Sequence, residues 1–109
     1  MRLRIEYFDH NESFAAQLPR EATVVARPKS SDSQLSWHLV HLDSPVTYEQ
    51  VAYTHLLLAS RWEGYPLGGV EPTSVFILLV PPSRATVADG FSYKRFVHVA
   101  WGMSHVVGA

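Results

Sequence analysis

No cysteine occurs anywhere in the 109 residues. That excludes a disulfide framework, an iron–sulfur cluster and thiolate chemistry, and it fits a reducing, cytoplasmic compartment. Charge is scarce as well: Asp, Glu, Lys and Arg make up 17% of the chain, against about 25% in an average domain. The formal net charge is −1, so no overall field draws the chain to nucleic acid or to an anionic membrane. Long apolar runs are missing too. The longest, residues 75–80, is far too short to span a bilayer, and the start of the chain has no apolar signal-peptide core. Apolar residues nevertheless reach 47%, enough to offset the entropy of ordering, which excludes intrinsic disorder. The length fits one domain covering residues 1–109.

Catalytic motifs are equally sparse. Gly64-Tyr65-Pro66-Leu67-Gly68-Gly69 has glycines at the wrong offsets for a phosphate loop, and no Lys-Ser or Lys-Thr follows it. There is no G-x-S-x-G elbow. Glu6, Glu49, Glu63, Glu71 and Asp89 are scattered over separate segments, so no carboxylate pair is suggested. Basic side chains alternate with aromatics only at Tyr93-Lys94-Arg95-Phe96, where a strand would send Lys94 and Arg95 to opposite faces. Neither nucleic acid nor a bound cofactor is expected. Of the six histidines, His38 and His41 are three apart. In a strand that spacing sends the rings to opposite faces, so no metal site is expected from them.

What the chain does have is periodicity. Over residues 2–8, Leu3, Ile5 and Tyr7 alternate with Arg4, Glu6 and Phe8, as in a half-buried strand. Residues 12–18 can form a short helix that Pro19 stops. Residues 22–27 and 34–42 read as strands around a polar loop at 29–33. In the second of them Leu35, Trp37 and Leu39 share one face, and Ser36, His38 and Val40 the other. Asp43-Ser44-Pro45 reads as a break, and Thr47 and Gln50 have capping-box spacing for a long helix over 48–62. Residues 74–80 read as a central strand covered on both faces, and 91–101 as a last strand. These elements predict an α+β fold: a mostly antiparallel sheet of about five strands with one long helix packed on one face. Their order matches a ferredoxin-like split βαβ with an extra strand.

On that helix Tyr48, Val51, Ala52, His55, Leu58, Ala59 and Trp62 would share an arc of roughly 120° facing the sheet. His55 at its centre is then either a core histidine with its nitrogens hydrogen-bonded, or a ring pointing into a cavity for ligand binding or proton transfer. Leu56-Leu57-Leu58 would place apolar groups around the whole cylinder, which calls for cover on more than one side. Arg61, Trp62 and Tyr65 lie in the glycine-rich connector to the next strand, a common lip for a pocket. The candidate ligand-binding residues are therefore His38, His55, Arg61, Trp62 and Tyr65. They suggest a small interaction or ligand-binding module for an apolar or aromatic molecule or another protein. The rival is a cofactor-free enzyme using His55 or His38 as general acid–base. Residues 96–109 carry no formal charge, and an uncharged edge strand needs cover, so a homodimer is expected to bury part of 96–107. Tyr53 and Leu57, on the outer side of the helix, offer the alternative contact.

Overall fold

Two-residue alternation, not helical periodicity, organises most of the chain. A computed structural model describes residues 1–7, 12–61, 67, 72–83 and 86–106. Six strands lie among them: β1 (Arg2–Tyr7), β2 (Arg20–Ala26), β3 (Trp37–Tyr48), β4 (Val51–Ser60), β5 (Thr73–Leu79) and β6 (Val97–Val106). A helical turn, α1 (Glu12–Ala15), precedes β2, and a single 3-10 turn (Tyr93–Arg95) precedes β6. Each strand pairs antiparallel with its neighbour in sequence, and β6 returns to pair with β1, closing a barrel.

The α+β expectation, and with it the ferredoxin-like order, is overturned by β4. Residues 51–60 form a strand where the long helix was expected. The reason lies just before it. Glu49 and Gln50 both have positive φ, 49° and 68°, and make a two-residue turn between paired Tyr48 and Val51. Positive φ at both central positions is the primed-turn geometry that matches strand twist, so Thr47 and Gln50 sit in a hairpin and not in a capping box. Nor does Asp43-Ser44-Pro45 end β3. It lies inside the strand, where the register with β4 shifts between His41 and Val46. Such an irregularity is where a strand tolerates proline.

Burial explains the Leu56-Leu57-Leu58 run. Leu56 and Leu58 point into the barrel with Leu3, Ile5, Val40, Leu42, Val75, Ile77 and Leu79. Phe14 of α1 and Leu67 of the β4–β5 connection join the same interior cluster. Leu57 points outward, between its cross-strand partners Leu39 and Leu78. It is fully buried there, in a second cluster with Trp37, Ala59 and Val80. The cover comes from the chain itself: Val87, Phe91, Tyr93 and Phe96 pack on this outer cluster, with Tyr93 stacked on Trp37 at 5.8 Å. A strand buried on both faces reads as a continuous apolar run.

Side-chain ties hold that cover down. The Asp32 carboxylate accepts hydrogen bonds from Ser30, Ser92 and the Tyr93 amide. The Ser92 and then the Ser30 hydroxyl bonds draw its pKa down to about 2. Asp89 accepts from the Lys29 amide, and Ser31 donates its amide to the Phe91 carbonyl. At the other end of the barrel the Gln17 amide bonds both the N–H and the carbonyl of Thr47, fixing α1 against β3.

Closure also removes the premise for a dimer through an edge. β6 is hydrogen-bonded on both sides, to β5 and to β1, so it is not an edge strand. Of the alternative contacts, Leu57 is covered by its own chain and Tyr53 packs on the interior cluster. Lys94 and Arg95 belong to the 3-10 turn and are both exposed, not on opposite faces of a strand.

Candidate functional site

The interior is packed with side chains, so distinctive chemistry has to come from the outer wall. Between inward Val40 and Leu42, His41 must point outward; beside inward Leu56, so does His55. The two residues are directly paired across β3 and β4. Their rings stack with centroids 4.6 Å apart and planes within 10°. His41 is exposed and His55 half-buried. The Thr54 hydroxyl lies 2.9 Å from Nδ1 of His55, close enough to orient that ring. Burial pushes the His55 pKa below its usual value, and the charge of the neighbouring His41 pushes the same way.

The pairing continues this outer row onto the adjoining strands. His41 sits opposite Thr23, and Thr23 opposite Arg2. The Arg2 guanidinium donates to the Thr23 hydroxyl at 3.0 Å and forks onto Asp43 at 2.7 and 2.5 Å. Glu21 stands 3.9 Å from the same guanidinium. The hydrogen bond to Arg2 holds the Asp43 carboxyl below its ordinary range, with His41 contributing through its charge. A polar band thus runs across β1 to β4: Arg2, Thr23, His41 and His55 in one row, with Glu21, Asp43 and Thr54 beside it.

The residues singled out from the sequence are distributed differently. His38 is buried and pairs with inward Leu58, which turns it toward the interior. Its Nδ1 lies 3.3 Å from the Ser36 carbonyl, and burial lowers its pKa against the effect of that contact. Arg61 follows β4 directly, with its amide bonded to the Ser74 carbonyl and its guanidinium 3.5 Å from the Ser74 hydroxyl. Trp62 and Tyr65 lie outside the described residues. His55 is therefore not grouped with His38 or Arg61, and its real neighbour is His41. Spacing alone points to no such partnership, because it depends on the Glu49-Gln50 turn and on the register shift that follows it.

A second polar feature lies inside. The cross-strand row Arg20, Ile5, Ser104 and Thr73 puts polar groups at one level of the barrel. The Ser104 hydroxyl is fully buried without a hydrogen-bond partner, as is Nε of Arg20. Among the described residues no group of three or more His, Asp or Glu side chains is placed to hold a metal ion. No described helix is long and apolar enough to cross a membrane. No protein-family model, curated protein or solved structure matches the chain.

Proposed function

We propose that the chain is a small binding module that engages its ligand or partner protein on the outer wall of β3 and β4, around His41 and His55. The observation that carries this reading is the contrast between the two faces of the same strands. Inside, among the described residues, apolar side chains of β1 to β5, with Phe14 and Leu67, pack where a barrel carrier would hold its cargo. Outside, a stacked imidazole pair, an arginine–carboxylate fork and two threonine hydroxyls are presented on rigid strands. Flat polar surfaces of this kind suit recognition. The acid–base alternative has less behind it. His38 faces the packed interior, and the hydrogen-bonding contact of the His55 ring is a threonine hydroxyl, not a carboxylate. A cytoplasmic setting belongs to this reading, supported by a chain with no thiol to protect or oxidise.

The test is a fragment screen followed by amide chemical shifts. Polar and small aromatic fragments are expected to move the signals of Thr23, His41, Thr54 and His55 first. Shifts confined to His38, Ser74 and Arg61 would place binding at the barrel end and overturn the reading.

A further inference from the structure

We propose that His41 and His55 form a two-imidazole site for a late first-row divalent ion, with Zn2+ the probe of choice. This inference rests on the outer-wall reading above and names the class of ligand that wall takes.

The geometry comes first. Zinc–nitrogen bonds of about 2.0–2.1 Å put two ligating ring nitrogens roughly 3–3.4 Å apart. As they stand the rings lie face to face, with planes within 10° and centroids 4.6 Å apart. The lone pair of a ring nitrogen lies in the plane of its ring, so the stacked pair converges on one ion only after the exposed His41 ring swings out of the stack about its side-chain torsions. The pairing of His41 with His55 is held by inward Val40, Leu42 and Leu56, so the rings are delivered by a fixed register and not by a mobile loop. A one-residue slip would turn those apolar side chains outward.

The chemistry agrees. Neutral imidazole suits zinc, copper and nickel, and a metal-ligating histidine ordinarily donates its second N–H to an oxygen. The Thr54 hydroxyl, 2.9 Å from Nδ1 of His55, is such an oxygen. In the tautomer that carries its proton on Nδ1, that N–H donates to the Thr54 hydroxyl and the Nε2 lone pair is left for the ion. Thr54 is thus a positioning residue. His41 is exposed, so the remaining coordination positions are open to water or to a donor from a bound partner. Asp43 is held by Arg2 and is not counted as a ligand.

Isothermal titration with Zn2+ at constant pH tests the site on the whole protein and on His41→Gln, His55→Gln and Thr54→Val. One equivalent should bind, and either histidine replacement should weaken that binding at least tenfold. Thr54→Val should weaken it several-fold while leaving the zinc-induced shifts on the same two residues. In the amide spectrum, zinc should move His41, Thr54 and His55 before other signals. Far-UV circular dichroism checks folding; should His55→Gln misfold, exposed His41→Gln decides alone. Zinc affinity unchanged in His41→Gln, or shifts centred on other histidines, overturns the proposal. If zinc fails while fragments still shift this wall, only the metal inference falls; if both fail, the outer-wall reading falls with it.

Discussion

Leu57→Ala distinguishes a barrel wall covered by its own chain from one exposed to solvent. Leu57 is 0% exposed, flanked across the sheet by Leu39 and Leu78, with the stretch carrying Phe91, Tyr93 and Phe96 on top. The substitution removes three carbons at about 0.8 kcal/mol each and leaves a cavity whose cost depends on how far the surroundings collapse. The cover here is irregular chain tied by side-chain bonds through Asp32 and Asp89, so it can settle inward more than a strand can. A loss of about 2–3.5 kcal/mol follows, near the lower half of the range for buried leucines. For a domain of this size that lowers Tm by roughly 8–14 °C. Urea unfolding followed by tryptophan fluorescence measures it, with Leu56→Ala as the interior control and an unchanged m-value as the two-state check. A leucine on an uncovered surface would lose no more than about 0.5 kcal/mol. A Leu57→Ala loss below about 1 kcal/mol, with Leu56→Ala well above it, would refute the covered wall.

Three further outcomes are expected. Gly102→Ala should cost about 1–3 kcal/mol by overpacking in urea unfolding, because the added Cβ would sit 2.8 Å from both the Glu6 carbonyl oxygen and Cδ1 of Ile77; an equally stable variant would mean that β6 and β1 can move apart. Glu49→Asn with Gln50→Gly should raise stability by about 1 kcal/mol, since both positions hold positive φ that ordinary side chains disfavour; a loss would mean that the native side chains hold the turn. Asp32 has a folded pKa of about 2 against an ordinary 3.8, so its contribution is present above about pH 4 and disappears as the pH falls toward 2. Asp32→Asn should therefore differ from the parent most near neutrality and converge with it in acid; a midpoint difference that stays constant from pH 6 to pH 2 would count against the clasp.

How far the sequence could be read depended on whether the deciding contacts were local. Strand β1 is visible in its own alternation, and the division of β3 into Trp37 and Leu39 against His38 and Val40 is the division between outer and inner clusters. The double burial of 74–80 was legible because six consecutive apolar residues, Val75 to Val80, run up to a proline pair. The helix over 48–62 failed for the opposite reason. Three consecutive leucines are compatible with either a helix or a two-sided strand, and what selects the strand is cover supplied by Phe91 and Tyr93 far along the chain. The turn gave no warning either, since Glu49 and Gln50 adopt positive φ without glycine or asparagine. The lack of charge in β6 was visible, but not that the strand is paired on both sides and leaves no edge. In the sequence His55 stands as an isolated ring; its pairing with His41 exists only in the folded register.

Closure and filling together decide where this protein can present chemistry. A closed barrel has spent its strand edges on itself, so a partner cannot add a strand between β6 and β1. A filled interior leaves outward side chains and the barrel ends. The outer wall is itself divided: one sector carries the aromatic cover, and the next carries Arg2, Thr23 and His41. His55 stands at the boundary, because its carbonyl accepts the amide of Val80, a member of the covered cluster. That position explains why its ring is half-buried with a depressed pKa while His41, one strand further round, is open to solvent. The pair therefore joins one ring held by burial and Thr54 to one free to adjust. That combination is what the proposed binding role would draw on: one ring fixed by the scaffold and one accessible from solvent.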